Sequence, residues 1–327
     1  MTTAPLDVVG IGNAIVDVIS QSDDAFLAGQ AMDKGAMMLI DEARAEAIYG
    51  AMGPGIEASG GSAGNTVAGI ASLGGKAGYV GKVRDDVLGK VYRHDITAAG
   101  VAFPTPAAQT GPATARCLIL VTPDAQRTMN TFLGACVGLG PDDVDADFIA
   151  SAQVTYLEGY LYDPPLAQDA FRKAAEIAHA AGRKVALSLS DSFCVHRHRQ
   201  AFLDFVEGHV DVLFANEAEL TALFETENFD EAIASVRRLT ELAAVTRGAQ
   251  GSVVVARDQI VEVPAAPVAR VVDTTGAGDL YAAGFLYGLT RNLPLAECGR
   301  IGSIAAAEII SHYGARPETP LAALIQA

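Results

Sequence analysis

Between residues 153 and 263 the chain repeats one pattern. A short apolar run is followed by a helical stretch of roughly 10–15 residues, then by another apolar run. "QVTYLEGY" reads as a strand, "PPLAQDAFRKAAEIAHAAG" as a helix and "KVALSLS" as a strand. "RQAFLDFVEGH" reads as a helix, "VDVLFAN" as a strand, "EAELTALF" and "DEAIASVRRLTEL" as helices and "AAVTRG" as a strand. "GSVVVARDQIVEVP" closes the series as a hairpin. Strands separated by helices of this length form βαβ units, so they run parallel with helices packed against the sheet. Half of the 327 residues are apolar, which is ample for such a core.

The N-terminal half is less regular. Val8–Ile11 reads as a buried strand ending at Gly12-Asn13, and "AIVDVIS" reads as a continuation of the same sheet. "TVAGIASLGG" fits a short helix closed by glycine, "KAGYVGKV" a strand, and "DVLGKVYRHDITAAGV" an amphipathic helix ending at Gly100. In "ATARCLILVTPDAQRTMNTFLGA" two β-like runs flank "TPDAQ", a hairpin signal. This piece and the turn-then-apolar stretch "GQAMDKGAMMLI" break the βαβ rhythm and read as hairpin pieces of a small β-lid. The expected fold is α/β: a single three-layer α/β/α domain over 1–327 with a mainly parallel central sheet. A lid from about 14–55 and 103–133 is inserted in it.

Several function classes are disfavoured. A net charge of −16 repels phosphate polymers and anionic membranes, so neither nucleic acid nor a membrane is the expected partner. A small anion held by backbone N–H groups is not excluded. Cys117, Cys136, Cys194 and Cys298 form no CxxC pair, which reads as reduced thiols in the cytoplasm. "CVHRHR" (194–199) puts Cys, His and His at alternate positions; it reads as a loop or helix start, with a metal site the alternative. The N-terminus lacks a signal peptide's basic region, and no apolar run reaches the ~18 residues of a membrane helix. There is no GxxxxGK[ST], GxSxG or HExxH, and "GIGNAI" lacks the third glycine of a dinucleotide fingerprint.

"VVDTTGAGDLYAAGF" (271–285) carries the strongest chemical signal. "ARVVD" is strand-like and "LYAAGFLYGL" suits a buried helix, so Gly276-Ala277-Gly278-Asp279 falls at that helix's N-terminus. Such an end offers unpaired N–H groups and a positive dipole, and glycines let a phosphate come close. An aspartate there can take the proton of a hydroxyl that attacks a phosphoryl group. The plainer alternative is a helix-starting charge after a turn. "GIGNAIVDV" sets Asn13 and Asp17 four residues apart after the first strand, an amide and a carboxylate suited to vicinal hydroxyls or simply a turn with a solvated Asp.

"DTTGAGD" resembles the signature of the ribokinase-like sugar and nucleoside kinases, the PfkB family. "SGGSAGN" (59–65) resembles the family's first signature, "FANEAE" (214–219) its N-x-x-E element and "VTRGAQG" (245–251) its ATP-carrying loop. The four occur in the family's order. Among its branches the chain is most similar to adenosine kinases, at G-N-x-x-x-D, "QRTMNTFLGACVGL", "YLEGYLYD", "LSLSDSF" and "PLAECGRIGSIAAAEII". It departs from them at Glu158, Leu161 and Asp191, so a sugar substrate stays open.

The resemblance implies Asp279 as the catalytic base and Gly276, Ala277 and Gly278 as an anion hole. Arg127 would reach from the lid to the phosphate, unless it is only a hairpin-edge charge. Asn13, Asp17, Gly61, Ser62 and Asn65 would bind the acceptor's hydroxyls. Met38, Met129 and Leu133 would line a slot for the base, unless they are ordinary lid packing. ATP would lie along Thr246, Gly248, Gly251, Asp273 and Thr275. Asn216 and Glu219, which also read as a capping box, would order water around Mg²⁺. A monovalent cation such as K⁺ near Asp273 is a further family expectation. The implied partners are ATP and a small nucleoside or sugar, acting on a monomer or homodimer. A non-catalytic nucleoside-binding protein is the alternative of another class.

Overall fold

The computed structural model describes residues 5–124 and 126–326. β1 (Leu6–Ile11) and β2 (Ile15–Gln21) are followed by α1 (Asp24–Gly29), β3 (Met37–Leu39), α2 (Glu42–Ala51) and β4 (Gly55–Ser59). Next come α3 (Ser62–Ser72), β5 (Ala77–Val80), α4 (Val87–Ala98) and the hairpin β6 (Ala115–Val121) and β7 (Arg127–Phe132). The alternating half contains α5 (Ala146–Ala150), β8 (Ala152–Glu158), α6 (Pro165–Ala180), β9 (Lys184–Ser188), α7 (Ser192–His209) and β10 (Val212–Asn216). It continues through α8 (Glu217–Phe224), α9 (Phe229–Leu239), β11 (Leu242–Thr246), β12 (Ser252–Ala256) and β13 (Ile260–Val263). α10 (Ala277–Leu289), α11 (Leu295–Ile309) and α12 (Leu321–Leu324) end the chain's regular structure.

Among the described residues the larger sheet has eight strands in the order β13-β12-β11-β10-β9-β8-β1-β5. It is parallel from β5 to β11 and antiparallel from β11 to β13. Alternate side chains of each strand enter different cores, as the two-residue period requires. Val8, Tyr156, Ala186 and Phe214 pack with Leu280, Phe285 and Ile301 of α10 and α11. Val9, Leu157, Leu187 and Leu213 pack with Phe171, Phe202 and Leu220 of α6, α7 and α8. These are the three layers read from the alternation.

Strand order reverses direction at β1, which lies between β8 and β5. The chain ends of β1 and β8 therefore diverge into helices on opposite sides, leaving a crevice at their C-termini. Gly12, Asn13 and Glu158 stand at that crevice.

The second sheet has the order β3-β7-β6-β2-β4. Two readings are corrected here. β2 does not continue the main sheet; the chain leaves it after β1, and β2 pairs with β4 and β6 instead. The segment near 30–40 is not a hairpin; β3 lies parallel to β7, with Met37 opposite Met129. A third correction concerns "ARVVD", which forms no strand. Val272 donates its N–H to the carbonyl of Ile310, just past α11, at 2.8 Å, and Val271 is exposed. β-branched residues favour a strand only where a partner edge is free.

"CVHRHR" lies in the first turns of α7, whose N-cap Asp191 accepts from the N–H groups of Phe193 and Cys194. Its side chains go separate ways. Cys194 is buried with Sγ on the carbonyl of Gly159, while His196 meets its own helix and His198 meets Asp163. No cluster of metal ligands forms among the described residues, and no helix among them is long and apolar enough to cross a membrane.

Candidate active site

Two helices that meet at the crevice begin at glycines in the left-handed region: α3 at Gly61 (φ 82°) and α10 at Gly276 (φ 78°). Neither glycine can supply a capping side chain; at α10 the Ala277 N–H donates to the Thr274 carbonyl at 3.2 Å, and at α3 the cap comes from a distant residue. At α10 a Cβ on Gly278 would meet nothing within 4 Å, so this end is open to a ligand. Asp279, in the first turn, is half-buried. Its Oδ1 accepts from Ser62 Oγ at 2.6 Å and its Oδ2 from Asn65 Nδ2 at 2.9 Å. Loss of solvent pushes its pKa up, and the two hydrogen bonds and Arg316 pull against that. Asn65 Oδ1 is buried with no hydrogen-bond partner among the described residues. A buried carbonyl oxygen left open beside a carboxylate is an acceptor waiting for a donor such as a hydroxyl.

On the other side of the crevice Asn13 is buried, with its N–H and Nδ2 donating to Glu158 Oε1 at 3.3 and 2.8 Å. Glu158 Oε2 accepts from the N–H of Ala63 at 2.8 Å, and so caps α3 from a distant strand. This carboxylate is 1% exposed. Gly12 makes room for it, since a Cβ there would lie 2.2 Å from Oε2. Burial pushes the Glu158 pKa from 4.5 to about 7, and that of Asp17 from 3.8 to about 6. Asp17 lies against the next turn: a Cβ on Gly60 would be 2.4 Å from its Oδ2.

These raised values have a sign in stability. The folded protein keeps protons on Glu158 and Asp17 that the unfolded chain has already released, so stability falls as pH rises from about 4.5 to about 7. The Glu158 contribution is on the order of 3 kcal/mol. We expect the urea midpoint to drop between pH 5 and 8, with a shallower drop in Glu158→Gln. A midpoint that rises across this range, or an unchanged slope in the variant, contradicts the assignment.

The lid presents its face by register. Arg127 opposes Val121, Met129 opposes Ile119 and Met37, and Asp17 opposes Cys117 and Ala58. Arg127 marks this as the face turned to the core domain, because its Nη1 contacts Asp273 Oδ2 and Thr275 Oγ1. Arg116, on the other face, pairs with Glu46 of α2. Met38 opposes Asn130 and so stands on the α2 side, away from Met129. The expectation that Met38 lines the slot is therefore corrected; Met37 is the methionine of β3 that shares the face of Met129. Leu133 follows β7 and is half-buried at the start of a 3₁₀ turn over Gly134–Gly138.

Arg127 and Asp273 are 8% and 5% exposed in their side chains. Arg127 Nε and Nη2 have no partner among the described residues. Two buried guanidinium donors without acceptors fit a phosphoryl oxygen, which the fork geometry of arginine favours.

A family model described as "pfkB family carbohydrate kinase" matches residues 56–322. The chain belongs to this family. It is an ATP-dependent kinase acting on an alcohol group. Its structure is similar to that of the adenosine kinase from Sinorhizobium meliloti, at 55% identity and a TM-score of 0.92 over 99% of both chains. It is also similar to a probable sugar kinase from Rhizobium etli CFN 42, at 50% identity and a TM-score of 0.93, over 99% of this chain and 98% of that one. The adenosine kinase of Saccharomyces cerevisiae is 28% identical over 95% of this chain and 96% of its own length.

In this pfkB kinase the residues expected to carry ATP lie at loop ends. Thr246 ends β11, and Gly248 (φ 55°) and Gly251 (φ 87°) bound a 3₁₀ turn. A Cβ on Gly248 would meet nothing within 4 Å, whereas one on Gly251 would lie 2.1 Å from the carbonyl oxygen of Val263. Asn216 and Glu219 form the capping box of α8, with Asn216 Nδ2 on Glu219 Oε1 at 2.6 Å and the Asn216 N–H on Oε2 at 3.0 Å. Both residues are thus occupied with each other. Burial raises Glu219 from 4.5 to about 7, and the charges of Asp191 and Asp279 add to this. Such a pair fits Mg²⁺ through water rather than by direct ligation.

Asp273 does not fit a monovalent cation. Its carboxylate already accepts from Thr275 N and Oγ1, Arg127 and the N–H of Gly314. Arg316, whose guanidinium donates to the Gly64 carbonyl in the first turn of α3, belongs to none of the sequence motifs. It lies outside all four, in "GARPET", and only the fold brings it to α3.

Proposed function

We propose that the protein transfers the γ-phosphoryl group of ATP to the 5′-hydroxyl of adenosine or a close nucleoside. One observation carries this reading: Asp279 stands on the open N-terminal turn of α10, held by Ser62 and Asn65. A hydroxyl beside it has the carboxylate as proton acceptor and Asn65 Oδ1 as a second partner. Burial raises the Asp279 pKa above the ordinary carboxylate value, which makes its ionised form a stronger base than a solvated aspartate.

The chain's own groups divide the work. Asp17 and Asn65 hold the acceptor's hydroxyls, with Asn13 fixed beside them by Glu158. Asp279 orients the attacking hydroxyl and takes its proton as the O–P bond forms and the bond to the β-phosphate oxygen breaks. N–H groups of Gly276 and Gly278, with Arg127, stabilise the charge on the moving group, and the Ala277 peptide, whose N–H donates to the Thr274 carbonyl, adds its dipole. Mg²⁺, held through water by Asn216 and Glu219, supplies further neutralisation when bound. The Arg127 contact with Asp273 and Thr275 latches the lid and keeps water from the nucleotide.

The acceptor class follows from the lid face. Ile19, Ile119, Met129 and Met37 share the face that also carries Asp17. A polar group flanked by an apolar surface suits ribose with a planar base attached, and 55% identity to the Sinorhizobium meliloti enzyme supports the same reading. A sugar acceptor is the second reading, favoured by the similarity to the probable sugar kinase. Adenosine, inosine, ribose and fructose should be compared as acceptors by kcat/KM, and adenosine is expected to lead by at least about 100-fold. Turnover of a free sugar alone would end the nucleoside assignment.

A further inference from the structure

Arg316 follows α11 and is half-buried. Its Nη1 donates to the carbonyl of Gly64, in the first turn of α3, at 2.6 Å. Its Nη2 donates to Ser59 Oγ, at the end of β4, at 2.8 Å. Ser59 is anchored in turn: its N–H and Oγ both donate to Asp95 Oδ2 of α4, at 2.7 and 2.5 Å. The guanidinium therefore grips both ends of the turn by which the lid enters the core.

That turn has no slack. A Cβ on Gly61 would lie 2.0 Å from the carbonyl oxygen of Asn13, and one on Gly60 would overlap the carboxylate of Asp17. Directly after the turn, Ser62 and Asn65 hold Asp279. The spacing between the acceptor's anchor, Asp17, and the proton acceptor, Asp279, is thus set by one Gly-Gly turn.

We propose that Arg316 is a positioning residue for the transfer: it clamps the β4–α3 turn and lends its positive charge to the two carboxylates, Asp17 and Asp279, that the turn brings together. The proposal rests on Asp279 being the base. Acidic groups face Asp279 from three elements, Asp17 on β2, Glu158 on β8 and Glu219 on α8, along with the phenols of Tyr156 and Tyr160, and each carboxyl repels it once ionised. Arg316 opposes them, favouring the ionised form of Asp279, and it does the same for Asp17 together with Arg127. A mere structural clasp needs the hydrogen bonds. A positioning cation needs the charge as well.

The test is kcat against pH, from roughly 5.5 to 9, at saturating ATP and acceptor. Arg316→Gln should move the acid limb up by about one pH unit. Its plateau kcat should fall by about 10- to 100-fold, with the KM for ATP little changed. Arg316→Lys should keep the wild-type acid limb and recover part of the plateau. An unmoved limb in Arg316→Gln, or equal impairment of the Lys and Gln variants at every pH, overturns the proposal. Should the Gln variant fail to fold, Ser59→Ala decides, since it keeps the charge and removes one acceptor. It should lower plateau kcat severalfold without moving the limb, and wild-type turnover would overturn the clamp. Asp279→Asn, measured alongside, separates the two ideas. Loss of its turnover with an unmoved Arg316→Gln limb sinks the Arg316 proposal alone, whereas near-normal turnover sinks the base assignment and this proposal together.

Discussion

Replacing Asp279 with alanine is expected to lower kcat by about 10³- to 10⁴-fold and to leave the acceptor's affinity largely unchanged. The asymmetry follows from the geometry. Asp279 meets the reacting hydroxyl, while Asp17 and Asn65 hold the rest of the acceptor. The variant removes the proton acceptor and frees Ser62 Oγ and Asn65 Nδ2, which now donate to it. Both can turn to water or to the substrate, so the fold should survive. Steady-state kinetics with paired calorimetric binding of the acceptor checks this. Turnover within tenfold of wild type would refute the base, and loss of binding equal to loss of turnover would recast Asp279 as a substrate anchor.

Arg127→Ala should be the second most damaging change. The side chain has two parts in the account: one nitrogen latches the lid to Asp273 and Thr275, and two others stay unpaired for a phosphoryl oxygen. Removing a donor to the transferring group costs about 10²–10³ in kcat. Breaking a buried pair from one side costs about 3–5 kcal/mol, here set against lid closure, because Asp273 keeps its charge with a partner gone. The KM for ATP should therefore rise along with the fall in kcat, unlike in Asp279→Ala. A looser lid admits water, so ATP hydrolysis without acceptor should grow relative to transfer. Arg127→Lys keeps a charge but not the fork, and should recover little. A variant with unchanged kcat and KM would show that Arg127 is only a lid-edge charge.

The reach of the sequence can be judged from particular residues. Gly276 to Asp279 were legible because a β-branched run, two glycines and an apolar stretch mark a helix start, and α10 begins at Ala277. Asn216 and Glu219 were legible for a similar local reason: the capping box is a three-residue relation. The three layers followed from the strand–helix alternation. What failed was non-local. Val271-Val272 has strand chemistry, but no strand edge receives it, and its N–H is taken by the end of α11. Met37 and Met38 are adjacent methionines, and a strand's two-residue period makes them face opposite ways. Only the pairing with β7 says which one faces Asp17's side. Glu158 stood out as a departure from the family, yet its task, capping α3 and fixing Asn13, spans 95 and 145 residues of chain. Arg316 gave no local signal, because its value lies in reaching Ser59 and Gly64 across more than 250 residues.

The central claim is spatial: an alcohol and a terminal phosphorus meet at one carboxylate on the first turn of α10. A crystal structure with adenosine and a non-hydrolysable ATP analogue tests it directly. The account predicts the 5′-oxygen within about 3 Å of an Asp279 oxygen and the γ-phosphoryl oxygens against the N–H groups of Gly276 and Gly278. A ternary complex with the 5′-oxygen out of hydrogen-bond reach of Asp279, or with the γ-phosphate away from α10, would contradict it.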